Sequence, residues 1–305
     1  MKAIQIHAYG GPDVLQYEDA PVPTIQPNEV LIRVIATSFN PLDAKIRAGF
    51  MKEVIPHSFP FIPGWDCAGV VEAIGAQVTR FKIGDEVYSY PDNSRNGTYA
   101  EYVAVDETQV ALKPTTLSFV EAAALPMTAQ TALLALRTAG LKSGQTILIH
   151  GGAGGVGTMA IQMAKALGAN VITTASGNGI DLVKSLGADE VIDYKTTNFK
   201  DVVKDVDVVL DLLGGQTQED SWGVLKKGGF LVATAFPPAK EKAVQYGVRA
   251  AFIFTHPSGA ALEEIAALVD GGKLRPVIGV ELSLANTRQA HETKGGNGKT
   301  VLRIE

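Results

Sequence analysis

The 305-residue sequence predicts an α/β fold in which a β-rich catalytic domain is interrupted by a doubly wound parallel sheet. Three observations carry this. The length exceeds what one ordinary core holds, so two domains are expected. Residues 1–117 read as short β-branched segments bounded by Gly, Pro, Asn or Asp, with no long helical period. From Ser118 the rhythm changes to apolar runs alternating with helical ones. The expected layout is therefore 1–117 β-rich, 118–255 doubly wound, and 256–305 a return to the first domain.

Each element has its own signal. KAIQI, EVLIRVIATSF, GVVEAIG, DEVYSY and TYAEYVAV are the strands of the first part. Ser118 followed three residues later by Glu121 is a capping-box pattern that opens an alanine-rich helix. The runs TILIH (146–150), NVITTA (170–175), EVIDY (190–194), VDVVLDLL (206–213), FLVATAF (230–236) and AFIFT (251–255) follow. Continuous apolar runs are strands buried on both faces, as in a parallel sheet. Helices are expected at 155–167, 180–186, 199–204 and 218–225, and again at 260–269. TVLRI at 300–304 alternates, so it is returned to the β-rich domain.

Composition removes several function classes. With 46% hydrophobic and 19% charged residues the chain can bury a core, which excludes a disordered protein. Twenty-seven basic residues stand against 32 acidic ones, with no block of like charge. Nucleic acid and anionic membrane are therefore not expected partners. The N-terminus lacks the apolar core of a signal peptide, and no segment holds about 20 uninterrupted apolar residues. A cytoplasmic protein is expected. The single cysteine, Cys67, excludes an internal disulfide and any multi-cysteine metal site, and reads as a small buried hydrophobe. None of the five histidines pairs with another at metal-ligand spacing, and His150 reads as a strand-terminal polar residue.

The chemistry is concentrated in TILIHGGAGGVGTMAIQMAK. Gly152-x-Gly154-x-x-Gly157 follows a strand and opens a helix, the context of a Rossmann dinucleotide site. The first glycine permits the tight turn, the second leaves room for a pyrophosphate, and the third lets helix and strand approach. Gly155 and Val156 would offer N–H groups at the positive end of the helix. An NAD site places an acid about 20 residues on, to bind the ribose 2′-OH. Here no acid lies between Gln145 and Ile180, and Ser176 holds the expected place. A hydroxyl donates to a 2′-phosphate that a carboxylate would repel. NADPH is therefore the expected cofactor, with Tyr194 after the third strand as a second donor.

These residues resemble the quinone oxidoreductase (zeta-crystallin-like) branch of the medium-chain dehydrogenase/reductases. The likeness also runs through NPLDAKIRAG, PGWDCAGVVEAIG, GDEVY, GTYAEY, LPMTAQTA, LGADEVIDY and GKTVLRI, in order. It implies a GroES-like catalytic domain interrupted by a Rossmann domain, with the active site in the cleft between them. It further implies hydride transfer from NADPH to a quinone or electron-poor enone, and a homodimer. Zinc-dependent relatives place Cys where Asn40 stands and His-Glu where Trp65-Asp66 stands. Neither Asn40 nor Trp65 substitutes for those ligands, so no metal is expected.

After the strand EVLIRVIATSF, Asn40, Asp43, Lys45 and Arg47 form a polar cluster. Asn40 and Lys45 are the candidate catalytic residues, as donors to developing charge on the acceptor, or else turn-forming and solvated residues. Asp43 and Arg47, four apart, read as an ion pair. The resemblance assigns Thr131, Gly214, Phe254, Asn297 and Lys299 to the cofactor, each with a structural alternative. A non-enzymatic NADPH-binding redox sensor or structural protein, and an enoyl-thioester reductase, are the competing functions.

Overall fold

The computed structural model describes residues 1–293 and 296–304. The chain forms two compact units. One comprises Met1–Met127, His256–Gly272 and Pro276–Glu305; the other comprises Thr128–Thr255 and Lys273–Arg275.

The first unit opens with β1 (Lys2–Gln5) antiparallel to β2 (Gln16–Asp19). The long strand β3 (Glu29–Ser38) is followed by the short helix α1 (Pro41–Arg47). Asn40 is the N-cap, and Pro41 sits where its missing N–H has no cost. Next come β4 (Cys67–Ile74), β5 (Glu86–Ser89), β6 (Tyr102–Asp106) and β7 (Val110–Leu112). The Ser118–Glu121 capping box forms as expected and starts α2 (Phe119–Ala123). The helix α3 (Pro126–Ala139) follows, and the division between units falls within it. Residues 118–127 thus group with the first unit, ten residues past the change of rhythm in the sequence. The physical reason is packing: α2 lies against β3 and β4.

The second unit is a six-stranded parallel sheet. Its strands are β8 (Thr146–Ile149), β9 (Asn170–Ala175), β10 (Glu190–Asp193), β11 (Val206–Asp211), β12 (Leu225–Ala233) and β13 (Arg249–Phe252). Between them run α4 (Gly155–Ala166), α5 (Gly179–Ser185), α6 (Phe199–Val202), α7 (Gly215–Ser221) and α8 (Lys240–Tyr246). The order β10-β9-β8-β11-β12-β13 is the doubly wound 3-2-1-4-5-6 arrangement, with its reversal beside β8. Leu148, Val209, Trp222 and Leu231 belong to the core on one side of this sheet. Residues 273–275 group here because both the N–H and the C=O of Arg275 bond the Gln162 side chain of α4.

The chain then returns to the first unit. The helix α9 (Gly259–Asp270) is capped by Ser258 and packs on β7. It is followed by β14 (Ile278–Ser283), α10 (Thr287–Glu292) and β15 (Lys299–Arg303). The sheet order is β14-β15-β3-β4-β5-β7, with β6 also paired to β3. β6 pairs with residues 29–33 of β3, and β15 pairs with residues 36–38. The strand predicted at 300–304 therefore lies inside the first unit's sheet.

Candidate active site

In the second unit the glycine loop leaves β8 and enters α4. Each glycine has a distinct steric reason. A Cβ on Gly152 would lie 2.0 Å from the Thr173 hydroxyl oxygen of β9. One on Gly157 would lie 2.3 Å from the Gly151 carbonyl oxygen. Both glycines are thus required for packing. A Cβ on Gly154 would meet only the Gly151 carbonyl oxygen, at 3.4 Å, and Gly154 has ordinary extended dihedrals. Its glycine is not demanded by the protein itself, which marks the side a ligand's pyrophosphate would fill. Ala153, Gly154, Gly155 and Val156 are half-exposed while Gly152 and Gly157 are buried. No side chain caps α4, so its first-turn N–H groups are left for an anion. Thr174 holds the loop from below, its hydroxyl accepting from the Gly151 N–H at 3.1 Å.

Ser176 and Tyr194 follow the last residues of adjacent strands, Ala175 of β9 and Asp193 of β10, which pair in register. Their hydroxyls lie 2.8 Å apart, with Ser176 donating to Tyr194. Ser176 is half-buried, and Tyr194 is 60% exposed. The two predicted donors are thus brought together at the ends of adjacent strands. Gly214 closes the turn after β11, its N–H donating to the buried Asp211 at 2.8 Å. Thr131 of α3 shares a hydrogen bond with Thr255 at 2.8 Å, next to the partly exposed Phe254. Thr255, Asp211 and Thr174 were not identified from the sequence, because single polar residues at strand ends carry no spacing signal. His150 is fully buried against Ser221 and Phe199, and burial pushes it down to about 4. It is a neutral structural residue.

The first unit holds a separate buried polar cluster. Asp66, just before β4, is fully buried. Its Oδ2 accepts from Ser38 Oγ at 2.8 Å, Asn40 Nδ2 at 2.7 Å and Lys299 Nζ at 3.2 Å, and its Oδ1 from the Met127 N–H at 2.7 Å. Lys299 also donates to Asn40 Oδ1 at 2.6 Å and to the Phe39 carbonyl at 2.7 Å. Beside it, Asp43 accepts at Oδ2 from the Asn40 N–H at 2.8 Å and from Tyr99 at 2.6 Å, while its Oδ1 is buried without a partner. Desolvation pushes Asp43 up to about 7, against the pull of those donors.

The expected Asp43–Arg47 ion pair does not form. Arg47 donates to the Gly10 carbonyl and contacts His291 Nδ1 at 3.0 Å. Burial and that guanidinium push His291 down to about 3, so it is neutral. Lys45, two residues from Asp43 and so on the opposite side of α1, is half-buried. Asn297 is half-buried before β15.

Two family models match the chain: an alcohol dehydrogenase GroES-like domain over residues 26–115 and a zinc-binding dehydrogenase over residues 186–302. A 2-methylene-furan-3-one reductase of Solanum lycopersicum is 42% identical, over 91% of this chain and 71% of that protein. An NADPH-dependent alkenal/one oxidoreductase of Arabidopsis thaliana is 38% identical, over 99% and 79%. The solved quinone oxidoreductase of Coxiella burnetii superposes with a TM-score of 0.93 at 37% identity, over 100% and 99%. The chain belongs to the zinc-independent quinone oxidoreductase branch of the medium-chain dehydrogenase/reductase superfamily.

The description of the second model implies a metal, and this quinone oxidoreductase-branch chain does not fit one. An indole N–H such as that of Trp65 is a donor with no lone pair to offer. The oxygens of Asn40 and Asp66 already surround the Lys299 ammonium, a cation supplied by the chain. Cys67, on β4, is buried, and burial raises its thiol far above the ordinary range, which disfavours the ligating thiolate. Among the described residues no group of three His, Cys, Asp or Glu could hold an ion. No described helix is long and apolar enough to cross a membrane.

Proposed function

We propose that this chain reduces an electron-poor alkene conjugated to a carbonyl, or a quinone, using NADPH. The observation that carries the reading is the pairing of an open glycine cradle at Gly154 with the Ser176–Tyr194 hydroxyl pair. The first would take a pyrophosphate, the second a 2′-phosphate. When bound, NADPH supplies the hydride, so the chain need not carry the redox chemistry itself. The names of the relatives, an alkenal/one oxidoreductase, a methylene-furanone reductase and a quinone oxidoreductase, support this class of acceptor.

The chain's own residues bind and orient. N–H groups of Gly155 and Val156 hold the diphosphate, and Ser176 with Tyr194 holds the 2′-phosphate. Asn40 would donate an amide N–H to the acceptor's oxygen, where negative charge would build up on reduction. Lys45, on the opposite side of α1 from Asp43, adds positive charge to the acceptor's surroundings from outside the Asn40 cluster. Without a Lewis acid to polarise a simple carbonyl, conjugated acceptors that take a hydride readily are favoured.

The test is an NADPH-oxidation screen against quinones, enals, enones and enoyl thioesters, with NADH in parallel. Turnover of enones or quinones with NADPH is expected. NADPH binding without turnover on any acceptor would turn the reading toward a cofactor-binding protein with no enzymatic role. Reduction confined to enoyl thioesters would move the substrate class.

The reading includes a homodimer. It is supported by β13, an open edge strand with Phe252 and Phe254 partly exposed on and after it. Light scattering after size exclusion should return twice the 32.2 kDa chain mass. The cytoplasm is the proposed compartment, supported by the absence of disulfides in a chain with one buried cysteine. Cell fractionation tests it.

A further inference from the structure

An ammonium group has three N–H donors and no acceptor. In Lys299 the three have three oxygens: Phe39 O at 2.7 Å, Asn40 Oδ1 at 2.6 Å and Asp66 Oδ2 at 3.2 Å. The Lys299 side chain is 5% exposed and Asp66 fully buried. An ammonium so engaged has no donor left for the cofactor, to which the resemblance assigned it.

We propose that Lys299 is a positioning residue that locks the Asn40 carboxamide in one orientation. A carboxamide turned by 180° exchanges its oxygen and its NH₂ group. Here Asn40 Oδ1 faces the Lys299 ammonium and Nδ2 faces the Asp66 carboxylate at 2.7 Å. The turned amide would set N–H against ammonium and carbonyl oxygen against carboxylate, two repulsive contacts in a buried site where electrostatics is strong. One orientation therefore survives. In it, one Nδ2 hydrogen belongs to Asp66, and the second is the one assigned to an acceptor oxygen. Lys299 also neutralises Asp66, so this donor is held by a closed pair of charges and needs no metal. Glycine spacing and strand pattern could not reveal this, because Lys299 is 259 residues from Asn40 in the chain.

The inference rests on the reduction proposed above. Lys299→Met alone leaves the Asp66 charge buried and unpaired, which destabilises strongly. The informative variant is therefore Lys299→Met with Asp66→Asn, which removes both charges yet keeps an acceptor for Ser38 and for Asn40 Nδ2. Three quantities are read: kcat and KM with an enone the parent reduces, and the dissociation constant of NADPH by fluorescence titration. We expect kcat to fall by roughly tenfold or more, short of the roughly 10²–10³ that removing an oxyanion donor costs, because the amide is freed to turn and not removed. NADPH binding should stay within about twofold, a difference far below the 1.4 kcal/mol of a decade. Asn40→Ala should lower kcat as well, and adding the double substitution to it should cost nothing further, because both act through one amide. Parental kcat in the double variant, or additive losses with Asn40→Ala, would overturn the positioning role. Weakened NADPH binding with kcat intact would return Lys299 to the cofactor. A parent that oxidises NADPH with no enone or quinone would instead overturn the proposed function, and this inference with it.

Discussion

Ser176→Asp is the perturbation that most directly separates NADPH from NADH. The hydroxyls of Ser176 and Tyr194 are 2.8 Å apart, so one phosphate can accept from both. Hydrogen bonds to a charged group contribute roughly 1.5–3 kcal/mol each, and solvent exposure of Tyr194 places this pair at the lower figure. Aspartate removes one such bond, about 1.5 kcal/mol. It also sets a carboxylate about 4 Å from the phosphate, where each pair of unit charges in water costs about 1 kcal/mol and the phosphate carries about −1.5 to −2. The two effects sum to about 3 kcal/mol, or roughly a hundredfold weaker NADPH at ~1.4 kcal/mol per decade. NADH lacks the phosphate and can donate its ribose 2′-OH to the new carboxylate, so its affinity should hold or improve. Fluorescence titration of both nucleotides with parent and variant measures the ratio of dissociation constants. A ratio that moves by less than about threefold, under 1 kcal/mol, would refute the assignment of the 2′-phosphate to Ser176.

Further outcomes follow from the same geometry. Gly154→Val should leave the melting temperature near the parent's, since the Cβ meets only an oxygen at 3.4 Å, and should abolish measurable NADPH binding; parental affinity would refute the cradle. Protein purified without added metal should hold well under one equivalent of zinc, and chelators should leave turnover unchanged; stoichiometric zinc at Asn40 and Asp66 would contradict the internal cation. Asp43 is raised to about 7 by burial, so the folded state holds its proton where the unfolded chain has lost it. Its contribution is full below about pH 4 and drains as pH rises to about 7, by linkage. Denaturation of Asp43→Asn against the parent should therefore show the variant gaining relative stability across that window, and a flat difference would refute the raised value. His291 works in the opposite sense: held down to about 3, it favours the fold above pH 6.5 and loses that contribution as pH falls toward 3.

What was legible in the sequence was what is local. Gly152, Gly154 and Gly157 announce their geometry because turn, cradle and helix contact all fall within six residues. The strands of the parallel sheet were legible because burial on both faces leaves continuous apolar runs. Ser176 and Tyr194 could be paired because their strands are neighbours in the order. The cluster around Asp66 was not legible: Ser38, Asn40, Asp43, Tyr99, His291 and Lys299 meet only after the first unit has closed its sheet. Asp43 and Arg47 show how a local rule yields to such contacts. Their spacing suits an ion pair, but Tyr99 and the Asn40 N–H offer Asp43 buried donors, and His291 with Gly10 takes the guanidinium. The short exposed strand β14 and the helix α8 lacked an apolar stripe strong enough to register. The unit boundary was shifted because helix patterning at Ser118 does not reveal which sheet a helix will cover.

The position of β15 has a consequence for how the chain comes into being. The strand that flanks β3 at residues 36–38 leaves the ribosome long after β3 itself, because synthesis proceeds at only about 5–20 residues per second. The second unit draws almost all its strands and helices from one continuous stretch and can assemble before β15 has been made. The first unit waits, one edge of its long strand β3 unpaired along residues 36–38 and Asp66 without its counter-charge, until residue 303 is free. For that interval the nascent protein is a finished nucleotide-binding body tethered to an open sheet. A chain cut short before β15 would stay in that condition permanently, with an unpaired β edge open to other chains.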